Sequence, residues 1–438
     1  MDSNITVAAE RKRDAFIFIP GLGNRLDQTI DSIPGLLAAE FDRNALSPEA
    51  GFTVQSHGHE EEYVTSSGQV VQIPVRTIVR VEEKLEQPVA DVFYLDYVPI
   101  LTESFRRSNQ FVQGLRLLMA VLVNLPKMGA LLTGKEKKFS EKLQFLFAMF
   151  ILFLLGAYMI VLVVAVVQTI LQVLNQPEIQ FALSWPKIVT DTLSIPLNDI
   201  IVRLTPTFSQ AIVILTALVH VLAPNLQTTL TSMATQYLGV IDYMSLSEQK
   251  DAISGVFADM LDYIAGKREY RYVNVIAFSF GSVIAIDNIF PAGWKPVPRT
   301  QIINNLVTIG CPFDLFRMMW KHYFEDRMLL PGVPGCWINV YSPLDILGSN
   351  FRNDEKMAEA KVSISADHKR QSQEMKAPFP ENLVYTGGIN PKGVSKTAWM
   401  SLLGLRAHNM YWKARPHAEI SCFYEILGQL YKGDPVIS

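Results

Sequence analysis

The sequence predicts an α/β protein whose mostly parallel sheet is flanked by helices and interrupted by an α-helical membrane insertion. Residues 272–286 read as a buried strand, a tight turn and an apolar helix. An amphipathic helix over residues 245–266 leads into that strand, as in a βαβ unit. The membrane insertion is predicted by residues 143–177, which carry no charged side chain.

Apolar runs predict the elements that precede residue 105. The run from Ala15 to Asn24 suits a strand buried on both faces, and Pro20 and Gly21 turn the chain at its end. The other predicted elements are a helix at residues 25–42 with a local break at Pro34–Gly35, antiparallel strands at 52–55 and 70–81, and a buried strand at 89–98.

Two features of this region could hold a ligand, and neither is favoured. His57 and His59 lie beside the acidic run 60–62, but they have no further ligands and better suit a solvated hairpin. Gly21-x-Gly23 lacks the third glycine of a dinucleotide fingerprint and the lysine of a P-loop. The cysteines have no metal-type spacing. We therefore predict no metal and no cofactor.

The charge-free stretch predicts that the chain enters a membrane. Residues 145–174 are almost wholly apolar, and about 20 apolar residues suffice to cross a bilayer. A second charge-free stretch, residues 204–241, favours a second span, with a re-entrant or interfacial helix as the alternative. The predicted layout is a core of residues 1–105 and 243–438 and an insertion of residues 106–242, with spans at about 145–174 and 207–224.

Charge around the insertion predicts its orientation. Both core segments must lie on one side of the membrane, so the insertion crosses an even number of times. The loop at residues 178–203 has only Lys187 and Arg203 as basic residues, and residues 111–125 suit an interfacial helix. Cytoplasmic loops are rich in basic residues, which places the core in the cytoplasm. The lysines before the first span are Lys127, Lys135, Lys137, Lys138 and Lys142.

Ser279 stands on the turn between the predicted buried strand and the apolar helix. Its surroundings read Ala277-Phe-Ser279-Phe-Gly281, with small residues at both ends. This pattern resembles the nucleophile elbow G-x-S-x-G of the α/β-hydrolases, with alanine in the first place. The resemblance implies that Ser279 is a catalytic nucleophile; otherwise it is a small turn residue. The implied oxyanion donors are the backbone N–H groups of Phe280 and of Leu22, or of Gly23 in place of Leu22.

Two aspartates follow the next predicted strands. Asp314 comes after the strand at 302–309 and Asp345 after the strand at 337–342, where an open parallel sheet places its site. The resemblance favours Asp345 as the catalytic acid. Asp314 stays the alternative, although it also suits a turn or a helix N-cap.

The hydrolase order of serine, acid and histidine limits the base to three histidines. They are His368, His408 and His417. The resemblance favours His408, because it lies just before the last predicted helix, at residues 418–430. Ser279, Asp345 and His408 would then act as nucleophile, acid and base.

Composition and the resemblance together limit the function. Lysine and arginine number 39 against 42 acidic residues, and a net charge of −3 gives no support to a nucleic-acid partner. No signal peptide is evident at residues 1–14, and three cysteines fit a reducing compartment. The resemblance implies a serine esterase. The predicted membrane location of the protein and the aromatic residues Phe278, Phe280 and Phe313 favour a lipid or other acyl-ester substrate. The alternatives are an inactive hydrolase-like scaffold and a transporter component.

Overall fold

A computed structural model gives the fold of the protein. It describes residues 13–22, 26–45, 51–55, 59–64, 70–82, 85–107, 238–245, 247–292, 297–320, 322–328, 332–351, 364–365, 380–387, 389–390, 407–412 and 421–432, and a few single positions between these ranges. The chain divides into two compact units. The first comprises Met1–Ile100, Gly129–Phe145 and Leu246–Ser438, and the second comprises Leu101–Met128 and Leu146–Ser245.

The described elements comprise eleven strands, six α-helices and two 3-10 helices. The strands are β1 (Arg13–Ile19), β2 (Gly51–Val54), β3 (His59–Val64), β4 (Val70–Glu82), β5 (Leu85–Tyr94), β6 (Tyr270–Phe278), β7 (Ile303–Ile309), β8 (Arg327–Met328), β9 (Cys336–Tyr341), β10 (Ile364–Ser365) and β11 (Glu381–Val384). The helices are α1 (Leu26–Asn44), α2 (Val98–Arg107), α3 (Ser247–Lys267), α4 (Phe280–Ile289), α5 (Phe313–Met319) and α6 (Cys422–Leu430), with 3-10 helices at Pro298–Ile302 and Met410–Trp412.

A nine-stranded mixed sheet is the centre of the first unit. Its strands run in the order β11, β9, β7, β6, β1, β5, β4, β2, and β3 also pairs with β4. The strands from β11 to β5 are parallel, whereas β4 is antiparallel to β5, β2 and β3. The predicted α/β fold with a largely parallel sheet is confirmed. The parallel strands end at one edge, so the segments that follow β1, β6, β7 and β9 meet there.

The central strands are buried because their sequences are apolar on both faces. Residues 15–19 of β1 and residues 275–278 of β6 are at most 1% exposed. A cluster of aromatic and aliphatic side chains fills the space between this sheet and the helices α1 and α6. Phe41 of α1 stacks on Phe52 with ring centroids 5.8 Å apart. The sheet is therefore a rigid base for the segments at its edge.

The break predicted at Pro34–Gly35 is wrong, because α1 runs continuously from Leu26 to Asn44. A proline inside a helix leaves the carbonyl four residues earlier without its usual donor. That carbonyl belongs to Ile30, and the hydroxyl of Tyr94 donates to it at 2.9 Å. A side chain from β5 thus replaces the missing helix hydrogen bond.

Three other predicted boundaries also shift. The strand expected at 89–98 begins at Leu85 and ends at Tyr94, because Val98 starts α2. The capping box at Ser245 is wrong, since Ser245 is itself helical and α3 begins at Ser247. Gly266 does not end α3 either. The helix continues to Lys267, and Arg268 takes the left-handed conformation at φ 53°.

The predicted membrane insertion falls mostly outside the described residues. Both predicted spans, at about 145–174 and 207–224, lie outside them, so the insertion stays a prediction. Within the described part of the chain, none of the helices combines the length and apolar character that a membrane crossing requires. In the second unit, Arg116 donates to Asp242 at 2.5 Å.

Candidate active site

Ser279 lies on a strained turn between β6 and α4. Its backbone takes φ 53° and ψ −124°, a region that costs a residue other than glycine about 1–3 kcal/mol. Hydrogen bonds hold the turn in this conformation. Ser279 donates its N–H to the carbonyl of Ile309 at 2.8 Å. The hydroxyl of Ser282 donates to the carbonyl of Ala277 at 2.7 Å. The predicted strand, tight turn and helix are therefore all present.

Two glycines allow this turn to lie against the end of β1. A Cβ atom on Gly281 would collide with the carbonyl oxygen of Ile19 and would lie 2.6 Å from that of Pro20. A Cβ atom on Gly21 would lie 2.8 Å from the Cβ atom of Ser279. Side chains at either position would push the two segments apart. The glycine turn predicted after the first strand is thus next to Ser279.

The structure brings Ser279, His408 and Asp345 into one hydrogen-bonded chain. The Oγ atom of Ser279 is 2.7 Å from Nε2 of His408. On the other side of the ring, Nδ1 is 2.9 Å from Oδ2 of Asp345. With the proton on Nδ1, the imidazole donates to the carboxylate and accepts from the serine. Such an arrangement activates a serine hydroxyl as a nucleophile.

Asp314, the alternative acid, occupies another position. Asp314 lies in the first turn of α5, where its backbone N–H donates to Oγ of Ser349 at 2.8 Å. It is not the N-cap, which is Pro312. His368 and His417 lie outside the described residues. Among the described residues, the carboxylate that contacts His408 is that of Asp345.

Tyr411 also bonds to Asp345, and sequence reasoning missed it. Its hydroxyl donates to Oδ2 of Asp345 at 2.7 Å and accepts from the N–H of Ser342 at 3.0 Å. Burial raises the pKa of Tyr411 well above its ordinary value, so the hydroxyl remains protonated and donates. On the other carboxylate oxygen, Leu347 N–H donates at 2.9 Å. The only sequence signal was a tyrosine three residues after His408.

Small residues make room for this cluster. A Cβ atom on Gly348 would lie 2.7 Å from Oδ2 of Asp345 and 2.8 Å from the hydroxyl of Tyr411. Gly310, at φ 56°, would bring a Cβ atom within 2.8 Å of the Tyr411 ring. Larger residues at either position would displace the acid or the tyrosine.

Ser349 anchors the loop that carries the acid. Its N–H donates to the carbonyl of Cys311 at 2.9 Å, and its hydroxyl accepts from the N–H of Asp314. Its carbonyl accepts from Nδ2 of Asn339 at 2.9 Å. The loop is therefore fixed to β9 and to the segment after β7, which limits the movement of Asp345.

The aromatic residues predicted around the serine occupy different places. Phe278 stacks on the His408 ring, with centroids 5.0 Å apart and planes 25° apart. Phe280 packs against Phe316 at 5.6 Å, and Phe313 packs against Phe324 at 4.5 Å. Phe278 therefore orients the imidazole, while the other two rings belong to the packing around α4 and α5.

The two segments that carry the expected oxyanion donors lie beside Ser279. Phe280 is the first residue of α4, where the backbone N–H groups give the helix end a partial positive charge. Leu22 lies in the turn after β1, two residues beyond Pro20, which contacts the start of α4. Gly23, the alternative donor, lies outside the described residues.

No group of three or more histidine, cysteine, aspartate and glutamate side chains suited to a metal was found within the described residues. His57 lies outside them, and so does the side chain of His59. Comparison with protein-family models, curated proteins and solved structures finds no match to this chain. The functional interpretation therefore depends on the geometry of the site.

Proposed function

We propose that this protein is a serine hydrolase with an α/β-hydrolase fold that cleaves carboxylic esters. The observation that carries the proposal is the chain from Ser279 Oγ through His408 to Asp345, with distances of 2.7 and 2.9 Å. The strained turn at Ser279 and the order of serine, acid and histidine along the chain add support.

In the proposed acylation step, Ser279 Oγ attacks the carbonyl carbon of the ester while His408 Nε2 takes its proton. Asp345 stabilises the resulting imidazolium. The negative oxygen of the tetrahedral intermediate accepts hydrogen bonds from the N–H groups of Leu22 and Phe280. His408 then gives its proton to the leaving alkoxide, the C–O bond breaks, and the acyl group remains on Ser279.

In the proposed deacylation step, a water molecule takes the place of the alcohol. His408 removes a proton from the water as its oxygen attacks the acyl carbon, and the oxyanion donors serve a second time. Collapse of the intermediate releases the carboxylic acid, and the proton on His408 returns to Ser279. Neither step requires a metal or an organic cofactor.

The proposed substrate is a lipid or another hydrophobic acyl ester, and the proposed location is a membrane with the core in the cytoplasm. Both proposals rest on the sequence, through the apolar stretch at 145–174 and the lysines that precede it. An ester dissolved in a bilayer has a high local concentration for an enzyme attached to the same bilayer.

Labelling with a fluorophosphonate tests the proposal. The reagent forms a covalent bond with an activated serine, so we expect the intact protein to be labelled and Ser279→Ala to be unlabelled. His408→Ala should slow labelling by at least about 10³-fold, because the serine loses its base. Fractionation of the labelled protein should place it with membranes that have been washed at high pH.

The control is Ser254→Ala, which removes a hydroxyl from α3 and leaves the turn at Ser279 unchanged. It should retain labelling. Equal labelling of the intact protein and Ser279→Ala would exclude Ser279 as the nucleophile. An intact protein that is not labelled would favour an inactive scaffold.

A further inference from the structure

Tyr97 lies between the two segments that carry the expected oxyanion donors. It is fully buried, and its hydroxyl donates to the carbonyl of Pro20 at 2.9 Å. Its ring packs against Phe280 with centroids 6.0 Å apart and planes 55° apart. One side chain therefore contacts both the turn after β1 and the first residue of α4.

The turn after β1 needs such a contact, because it lies beyond Ile19, where the strand and its pairing end. At the end of the pairing between β1 and β5, the N–H of Leu95 donates to the carbonyl of Phe18 at 3.0 Å. Two residues later the Tyr97 hydroxyl bonds to Pro20, and so continues the series with a side chain. This places a donor at the residue that precedes Gly21 and Leu22.

The Tyr97 hydroxyl keeps its proton during catalysis. Burial raises its pKa well above the ordinary value of 10, and the charge of Asp96 adds to the shift. The carbonyl of Pro20 can only accept, so the hydroxyl is the donor at every pH at which an esterase is assayed. The bond is therefore a constant feature of the turn.

We propose that Tyr97 is a positioning residue for the oxyanion hole. Its hydroxyl fixes the peptide between Pro20 and Gly21, which is next to the peptide that carries the Leu22 N–H, while its ring fixes Phe280. This inference rests on the proposed hydrolase function. Tyr97 does not contact the reacting atoms and acts through the two backbone donors.

The test is Tyr97→Phe, which keeps the ring and removes only the hydroxyl. Loss of a whole oxyanion donor lowers kcat by about 10²–10³-fold. A donor that is present but badly directed should cost less, so we expect kcat for p-nitrophenyl butyrate to fall about 10- to 100-fold. KM should change less than about twofold, since the ester contacts the oxyanion donors fully only in the transition state.

Tyr94→Phe is the matched control. Its hydroxyl also donates to a backbone carbonyl at 2.9 Å and is also buried, but it bonds to Ile30 in α1. Both variants should lower the melting temperature by similar amounts, and only Tyr97→Phe should lower kcat. Titration of the active serine with a fluorophosphonate normalises kcat to folded enzyme, so partial unfolding cannot imitate the effect.

The outcomes separate the positioning role from the proposed function. A pH profile with an unchanged midpoint and a lower plateau in Tyr97→Phe supports the proposal, because His408 and Asp345 are untouched. Equal kcat values per titrated site in Tyr97→Phe and Tyr94→Phe overturn the role of Tyr97 and leave the hydrolase standing. An intact protein without Ser279-dependent hydrolysis overturns both.

Discussion

At the scale of single residues, Asp345 is notable for the number of groups that donate to it. Its buried side chain accepts hydrogen bonds from His408, Tyr411 and Leu347. Three donors stabilise the negative charge that would otherwise be costly to bury. They also fix both carboxylate oxygens, so the imidazole of His408 has one favoured orientation.

The identity of the acid can be tested with two matched substitutions. Asp345→Asn should lower kcat/KM by about 10³–10⁴-fold, since an amide at this position selects the wrong imidazole tautomer. Asp314→Asn should change it less than about threefold, because Asp314 lies in the first turn of α5 and not at His408. Ester hydrolysis at saturating and limiting substrate separates kcat from KM. The reverse ranking would assign the acid to Asp314.

At the scale of elements, the site depends on how closely α4 approaches β1. A helix normally keeps its backbone away from a strand by the width of side chains. Here Gly281 removes that spacing, and the carbonyls of Ile19 and Pro20 take the place of a Cβ atom. The approach brings the N-terminus of α4 and the turn after β1 together around Ser279.

Gly281→Ala should therefore destabilise the protein. The new Cβ atom meets backbone atoms, which cannot move aside as the end of a flexible side chain can. Overpacking of this kind costs about 1–3 kcal/mol, and we expect the free energy of unfolding to fall by at least that amount. Chemical denaturation followed by circular dichroism measures the change.

The control is Gly255→Ala on α3, where a Cβ atom would meet nothing within 4 Å. Alanine favours a helix over glycine by about 1 kcal/mol, so this variant should be as stable as the parent or more so. Equal effects of the two substitutions would show that the close approach at Gly281 is not required.

At the scale of the whole molecule, pairs of distant residues join the elements of the first unit. Asp287 of α4 forms a fully buried ion pair with Arg327 of β8, at 2.5 Å. Lys250 of α3 lies 3.1 Å from the same carboxylate. Elsewhere in the unit, Ser421 donates its N–H to Oε1 of Glu40 at 2.7 Å and so fixes the start of α6 to α1.

The buried ion pair predicts a pH-dependent effect of Asp287→Asn. Burial by itself would raise the pKa of Asp287, but the charges of Arg327 and Lys250, together with the hydrogen bonds from Tyr323 and Arg327, outweigh it and hold the pKa below its ordinary value of 3.8. Removal of one partner leaves a buried charge uncompensated, so stability at pH 7 should fall by about 3–5 kcal/mol. A lowered pKa contributes stability above pH 3.8 that is lost as pH falls, so the difference should shrink in acid.

Asp262→Asn serves as the control for this prediction. Asp262 pairs with Arg299 at 2.7 Å, but both side chains are about two-fifths exposed, at 44% and 40%. Exposed pairs contribute at most about 1 kcal/mol, so this variant should differ little from the parent. Urea denaturation from pH 7 down to pH 3 compares the two. A loss after Asp287→Asn that did not depend on pH would indicate a role in packing.

Much of the local structure could be predicted because its cause is local. The apolar runs at β1 and β6, the turn at Ser279 and the strands before Asp314 and Asp345 are set by residue types close in the sequence. The helix boundaries were harder. Pro34 was expected to break α1, but Tyr94, 60 residues later and in another element, supplies the missing donor at Ile30.

The sequence alone determined the α/β class, the turn that carries Ser279 and the choice of residues that could complete a hydrolase site. Only the tertiary structure decided that His408 and Asp345 meet, since they are separated by 63 residues. It also revealed Tyr411 and Tyr97, whose hydroxyls fix the acid and the turn after β1. The physical reason is that strand pairing brings distant segments to one sheet edge, and their contacts leave no periodic pattern in the sequence.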